Sequence, residues 1–366
     1  MSRVAPRIIL TIAAATFCLA GSNGFAQMAL PSARPAPAQP PQAAPKPKAA
    51  PKAAKPKATP KATPKAAPKA PAKPDAAKTD TLPPESNDPN VDLAYGAFQE
   101  GRYKTALALA TRRATEKGDP ISMTLIGEIY SNGFGVKRDE PLAASWYKKA
   151  ADRGDREAIF ALGMMYISGR GVTKDRSEGA KMLAAAAKLG KPEAAYNLGL
   201  LYLEGQVFPQ DFKRAAELFR QAADEGNPEA QYALATFYKD GRGVEKNPVE
   251  AAKLLGAAAL ANNLDAEVEY AIALFNGTGI KRDEGTAVAL LNRAARQGSP
   301  IAQNRLAHIL IEGKAVPQNK VEGFKWHLIA KTAGASDPDL DAQMAQLPAA
   351  DRAKAEAGAK KWFGIK

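Results

Sequence analysis

Apolar and polar positions alternate with the period of an α-helix in short segments that end in glycine. Within residues 155–190, apolar side chains first recur every three or four positions: Ala158, Phe160, Ala161, Leu162, Met165 and Tyr166. Gly169 and Gly171 follow and predict a helix end, because glycine readily adopts left-handed conformations. Asp175 then stands where a carboxylate caps a second helix, which Gly190 ends. The pattern predicts two helices joined by a tight turn.

This two-helix unit recurs at a fixed interval of 36 residues. A small residue inside the first helix keeps the interval in six copies: Gly127, Gly163, Gly199, Ala235, Ala271 and Ala307. A glycine six residues later keeps it as well: Gly133, Gly169, Gly205, Gly241, Gly277 and Gly313. A period in this range indicates a stacked array of helical units, each in contact with its neighbours. Such arrays usually bind partners and seldom carry out chemistry.

The residues of each unit resemble the Sel1-like repeat, a relative of the tetratricopeptide repeat. The shared pattern is A-x-x-x-LG-x-x-Y-x-x-G-x-GV followed by AA-x-x-G. The second copy meets it with Ala158, Leu162, Gly163, Tyr166, Gly169, Gly171, Val172, Ala186, Ala187 and Gly190. The resemblance implies an all-α fold, a right-handed α-solenoid of helix-turn-helix repeats. Some copies depart from the pattern, since Leu274 and Leu310 replace the tyrosine and Ala315 replaces the second loop glycine.

The chain divides into five predicted regions. They are a signal peptide at 1–26, a disordered Pro/Ala/Lys-rich linker at 27–88, a tetratricopeptide-like N-terminal cap at 89–118, six Sel1-like repeats at 119–334 and C-terminal capping helices at 335–366. Arg3 and Arg7 before a short apolar run, with a cut after Ala26, predict a periplasmic or secreted protein. Capping units are needed because the ends of an array would otherwise expose its core. We expect Trp362 and Phe363 to pack on the last repeat.

The net charge of +13 is concentrated in the linker. Residues 31–80 carry ten lysines and Arg34 against Asp75 and Asp80, a net charge of +9. This segment is either a stiff spacer or a polycationic strap for an anionic cell-wall or membrane surface. Nucleic acid is not expected as a partner, because export is predicted and no aromatic side chains lie between the lysines to stack on bases.

Neither a catalytic constellation nor a cofactor or metal motif is evident, and we predict a non-enzymatic protein without a cofactor. The sole cysteine, Cys18, lies in the predicted signal peptide, so no thiol is expected in the mature chain. Gly-x-Gly occurs four times at helix ends, where it predicts turns, since a phosphate loop would follow a strand. His308 and His327 belong to no metal-binding motif and are expected to pack or to lie at the surface.

By analogy with tetratricopeptide grooves, the resemblance implies a concave face formed by the first helix of each unit. Its inward positions are expected three residues before and one residue after the small residue of the repeat. The candidate groove comprises Phe160, Met164, Tyr196, Leu200, Tyr232, Thr236, Val268, Ile272 and His308. An aromatic and aliphatic strip of this kind suits a peptide or helix. The alternative is that these side chains only pack against the neighbouring second helix.

Two functions are consistent with these patterns. The first is a periplasmic scaffold or regulator that binds an envelope protein through the concave face of the solenoid. The second is an envelope-organising protein whose Lys-rich tail binds the cell wall or an anionic membrane surface. The identity of the partner does not follow from the sequence.

Overall fold

The computed structural model describes residues 92–364, which form sixteen helices and no strand. An N-terminal pair consists of α1 (Leu93–Gln99) and α2 (Tyr103–Lys117). The repeats contribute α3 (Pro120–Asn132), α4 (Glu140–Ala151), α5 (Arg156–Ser168), α6 (Arg176–Lys188), α7 (Pro192–Glu204), α8 (Phe212–Asp224), α9 (Pro228–Asp240), α10 (Pro248–Leu260), α11 (Leu264–Asn276), α12 (Glu284–Arg296), α13 (Pro300–Glu312) and α14 (Lys320–Thr332). A C-terminal pair follows, α15 (Pro338–Ala345) and α16 (Ala349–Trp362). The predicted signal peptide at 1–26 and linker at 27–88 lie outside the described residues.

Repeats 1 to 6 each consist of an odd-numbered A helix and the even-numbered B helix that follows it, from α3 and α4 to α13 and α14. Each A helix packs against its own B helix, and each B helix packs against the next A helix. Consecutive helices are therefore neighbours along the whole array. The prediction of an all-α solenoid of helix-turn-helix repeats is confirmed.

Side-chain caps begin five of the six A helices. Their capping residues are Asp119, Asp155, Asn227, Asn263 and Ser299, each of which accepts a hydrogen bond from an amide in the first turn. Helix α7 is the exception, because its capping position holds Lys191, which makes no side-chain cap hydrogen bond. A lysine has no acceptor for the free amides, and its charge faces the positive end of the helix dipole. Some other interaction must therefore favour Lys191 at this position.

The turn between the A and B helices touches the preceding repeat. Gly279 in repeat 5 has a φ of +71°, and a Cβ at this position would lie 1.9 Å from the carbonyl oxygen of Pro248. Gly243 in repeat 4 approaches the carbonyl oxygen of Phe212 in the same way, at 2.3 Å. Backbone thus meets backbone in these two turns, and a side chain at either glycine would collide with it. The contact holds these turns on the first residue of the preceding B helix, whereas in repeat 6 Ala315 adopts a φ of +61° at the same position.

Small and large side chains alternate in the core between the A and B helices. Alanines at two positions of the repeat are fully buried: Ala158, Ala194, Ala230, Ala266 and Ala302 on A helices, and Ala150, Ala186, Ala222, Ala258, Ala294 and Ala330 on B helices. Large side chains fill the space beside them. The ring of Phe219 lies where a Cβ at Gly199 would come within 2.7 Å, and it meets Phe237 edge-on at 5.4 Å. Each A helix uses one side for this packing, and its opposite side does not contact its own B helix.

The C-terminal pair covers the end of repeat 6. Leu340 of α15 is fully buried, and Trp362 of α16 packs edge-on against Trp326 of α14 at a centroid distance of 5.2 Å. Trp362 and Phe363, both expected to pack on the last repeat, are 42% and 45% exposed, so each is only partly covered.

Candidate protein-binding face

The A face is the surface formed by the residues three before and one after the small residue of each A helix. Seven of the nine candidate residues are half-buried there: Phe160, Met164, Tyr196, Leu200, Tyr232, Ile272 and His308. Thr236 and Val268 are buried, with 8% and 3% of their surface exposed. Thr236 bonds back to the carbonyl of Ala233, and Val268 belongs to the core beneath α12 and α13. Neither offers its side chain to a partner, contrary to the repeat pattern.

Side chains of successive repeats meet along this face at three junctions. At each, the residue three before the small residue contacts the residue that precedes the next helix of this face. In repeat 1, Thr124 Oγ1 donates to Asp155 Oδ1 at 2.8 Å, and in repeat 6, Asn304 Nδ2 donates to Asp337 Oδ2 at 3.0 Å. In repeat 2, the ring of Phe160 contacts the ammonium group of Lys191. These contacts join repeat 1 to repeat 2, repeat 2 to repeat 3, and repeat 6 to α15.

The ammonium group of Lys191 is held by an aromatic ring and two carboxylates. Its Nζ lies 5.6 Å from the centre of the Phe160 ring, 2.6 Å from Glu157 Oε2 and 3.0 Å from Glu193 Oε2. The residue is only 9% exposed. A ring face and two carboxylates replace the water that a buried ammonium loses. This explains a lysine at a capping position that it serves poorly.

Carboxylates also surround the two tyrosines of the A face. Burial raises the pKa of Tyr196, and the carboxylate of Glu229 raises it further. Burial raises the pKa of Tyr232 to about 12, with Asp265 and Glu269 adding to the effect. Both phenols therefore stay neutral at physiological pH and do not act as bases.

The two histidines join repeat 6 to the C-terminal pair. Nε2 of His308 lies 2.7 Å from Asp337 Oδ2, and Nε2 of the fully buried His327 lies 2.8 Å from Asp341 Oδ1. Lys331 donates to Asp341 as well, at 2.8 Å. Within residues 92–364, no group of three or more His, Cys, Asp or Glu side chains is arranged to hold a metal ion. Both histidines thus contact the start of the C-terminal pair. His308 therefore has a structural role as well as a position on the A face.

Acid is expected to loosen α15 from repeat 6. Burial opposes ionisation of Asp337, but hydrogen bonds from Asn304 and His308 prevail and lower its pKa from 3.8 to about 2. A depressed pKa contributes stability that is present above pH 3.8 and is lost as the pH falls through about 2. Hydrogen exchange of the α15 amides should therefore accelerate over this window. The pKa of Asp341 in α15 is also lowered, by hydrogen bonds from Lys331 and His327. Asp337→Asn with Asp341→Asn keeps the capping oxygen at position 337 and removes both titrations, so an unchanged pH profile in this double variant would contradict the assignment.

Sequence reasoning missed the carboxylates and the lysine that flank the aromatic residues. Glu157, Glu193 and Glu229 stand six residues before the small residue of their repeats, one helical turn before the predicted positions. A signal was available in Lys191, which occupies a position where every other repeat has a capping Asp, Asn or Ser.

Comparison with known proteins identifies the array. The family model described as Sel1 repeat matches residues 120–155, 156–191, 192–227, 228–263, 264–299 and 300–334. No curated protein gives a match. Helices of the described range lack the combination of length and apolar character that crossing a membrane requires.

Two of the solved structures that are similar to the chain share its fold. One is c5321, a protective antigen present in uropathogenic Escherichia coli strains that displays an SLR fold, with 31% identity, a TM-score of 0.65 and coverage of 74% of this chain. The chain spans 59% of that antigen's length. The other is a Sel1 repeat protein from Oxalobacter formigenes, with 31% identity, a TM-score of 0.58 and coverage of 66% of this chain and 98% of that one.

Proteins with these repeats share a scaffold that is generally non-catalytic, and the repeats generally mediate protein–protein interactions. The matched segments run without a gap through the twelve repeat helices, and the two solved relatives have the same fold. The chain therefore belongs to the Sel1 repeat family.

Proposed function

We propose that this protein is a periplasmic or secreted scaffold or regulator that binds an envelope protein through the A face. One observation carries the proposal: half-buried Phe160, Tyr196 and Tyr232 stand in register on three successive repeats, beside carboxylates. Aromatic side chains that are neither buried nor fully solvated are typical anchors of protein interfaces. Three repeats in register offer an extended surface, which suits a peptide or helix better than a small molecule.

The location rests on the N-terminal sequence. Arg3 and Arg7 precede an apolar run that is too short to span about 30 Å of hydrocarbon, and small residues precede the expected cut after Ala26. Export would also keep the lysine-rich segment away from nucleic acid. We propose no enzymatic role, because proteins with these repeats are generally non-catalytic scaffolds.

A second candidate function assigns binding to the tail. The net charge of +9 in residues 31–80 favours it, since closely spaced lysines attract cell-wall polymers and anionic lipids through long-range electrostatics. In that case the array would organise envelope machinery while the tail provides the attachment.

Exchanging the tail separates the two functions. Residues 31–80 are replaced by a neutral Pro/Ala segment of equal length, and a second variant deletes them. Partner binding that persists with the neutral segment supports binding through the A face, because only the spacing has been kept. Loss of envelope association in both variants supports the tail, since electrostatic attachment requires the lysines.

A further inference from the structure

One lysine of the chain is bound in a pocket on the A face. Lys191 places its ammonium between the Phe160 ring and the carboxylates of Glu157 and Glu193, at 5.6, 2.6 and 3.0 Å. These three groups come from two successive A helices, so the pocket lies at the junction between repeats 2 and 3. The cation that fills this pocket is Lys191 of the chain itself.

The residue types of this pocket recur at the next two junctions without the lysine. The ring position holds Tyr196 and then Tyr232, at intervals of 36 residues from Phe160. The two carboxylate positions hold Glu193 and Glu229 at the first of these junctions, and Glu229 and Asp265 at the second. In place of Lys191 stand two asparagines, Asn227 and Asn263.

Neither asparagine can substitute for an ammonium group. Asn227 accepts a hydrogen bond from the amide of Ala230 at 2.7 Å, and Asn263 accepts one from the amide of Ala266 at 2.9 Å. Both side chains are thus committed to capping their own helices and carry no charge. Glu193 at the first junction is already paired with Lys191 at 3.0 Å, whereas Glu229 and Asp265 form no ion pair among the described residues. The carboxylates that remain available are therefore Glu229 beside Tyr196 and Asp265 beside Tyr232.

We propose that the pockets at Tyr196 and Tyr232 bind two lysine or arginine side chains of an extended peptide from the partner protein. This inference rests on the proposed function and names the chemistry of its partner. A cation over an aromatic ring gains attraction from the ring quadrupole, and a carboxylate beside it adds a charge-assisted hydrogen bond. The ammonium of Lys191 makes both kinds of contact at the first junction.

The junctions on either side of this stretch lack the pocket. At the junction after repeat 1, the ring position holds Thr124, which bonds to Asp155. At the junction after repeat 5, the ring position holds Val268, which is buried, and Ile301 replaces a carboxylate. The chain therefore offers two open pockets in sequence, flanked by one that its own lysine fills.

The spacing of the pockets suits a polyproline-type or extended peptide. Neighbouring packed helices lie about 8–10 Å apart, and three residues of a polyproline II helix rise about 9 Å. Residues three apart also point to the same side of such a helix. In this chain's own linker, the five lysines from Lys57 to Lys73 are four apart and in a polyproline II helix would point to successive sides, whereas Lys52 and Lys55 are three apart. We assign the pockets to a partner's peptide with cations three residues apart, and the linker segment around Lys52 and Lys55 is the competing occupant that the test must exclude.

The test titrates the full chain with a fluorescein-labelled peptide of sequence KPAKPAKPA and measures fluorescence anisotropy. Glu229→Gln should weaken binding about tenfold, because this carboxylate is shared by both pockets. Asn227→Lys should weaken it by about fivefold, since it fills one pocket as Lys191 fills its own. Lys191→Asn should tighten binding by about threefold, because it opens a third pocket. It also gives α7 the asparagine cap that α9 and α11 have.

Three controls make the result decisive. Glu217→Gln removes the same charge from an exposed position on α8 and should leave affinity unchanged. A peptide with glutamine in place of lysine should not bind. A peptide of residues 49–77 of this chain, which includes Lys52 and Lys55, serves as competitor, and tighter binding of that peptide would overturn the assignment to a partner.

Equal weakening by Glu217→Gln and Glu229→Gln would overturn the pockets, since it would indicate diffuse attraction alone. An unchanged affinity in Lys191→Asn would do the same. Failure of the cationic pockets can be distinguished from failure of the proposed function. A partner that is captured at the A face in cells, while the purified chain ignores the lysine peptide, would reject the cationic pockets and leave the scaffold function standing.

Discussion

Replacing Gly279 with alanine is expected to destabilise the array by roughly 3–5 kcal/mol. The residue has a φ of +71°, and its new Cβ would lie 1.9 Å from the carbonyl oxygen of Pro248 and 2.3 Å from the carbonyl carbon. Left-handed backbone costs an alanine about 1–2 kcal/mol, and the collision with backbone atoms adds the cost of moving the turn off the preceding repeat. Urea unfolding followed by far-ultraviolet circular dichroism measures the loss.

Gly298→Ala is the matched control for this substitution. Gly298 has a φ of +95°, but a Cβ added there would meet no atom within 4 Å. Its cost is therefore limited to backbone strain of about 1–2 kcal/mol. Equal losses in the two variants would mean that the contact between the turn of repeat 5 and Pro248 does not hold the repeats together.

Phe219→Ala is expected to cost about 3–5 kcal/mol. The ring is fully buried, fills the space beside Gly199 and meets Phe237 edge-on at 5.4 Å. Its removal leaves a cavity between repeats 3 and 4, because the interlocked helices cannot collapse fully into it. Hydrogen exchange should rise first in α7 to α10, since each repeat is stabilised mainly by its neighbours.

Phe212→Ala provides the comparison within the same helix. Phe212 lies 6.3 Å from Phe237 but is 37% exposed, so its truncation removes less buried surface. We expect a loss of about 1 kcal/mol. A Phe219→Ala variant no less stable than Phe212→Ala would contradict the core described here.

The fold was predictable because its determinants are local and repeated. Helical spacing of apolar residues, capping residues such as Asp175 and helix-ending glycines such as Gly169 act within one repeat, and six copies report the same pattern. Fully buried alanines such as Ala230 follow from the register alone, because a position that is small in every copy marks a close helix crossing.

The A face was less predictable because its contacts join different repeats. Thr236 and Val268 occupy groove positions by register, yet local packing buries them. The partners of the two histidines, Asp337 and Asp341, lie in the C-terminal pair, where the repeat pattern no longer applies. The pocket around Lys191 combines side chains from two helices, and no pattern within one repeat brings them together.

Binding through the A face is tested most directly by photocrosslinking in intact cells. A photoreactive residue replaces Tyr196 on the A face in one strain and the exposed Lys188 on α6 in another, and mass spectrometry identifies the captured species. We expect a single envelope protein to be captured from position 196 and not from position 188. Capture of no protein at position 196, with cell-wall fragments retained by the lysine-rich segment instead, would contradict a binding role for the A face.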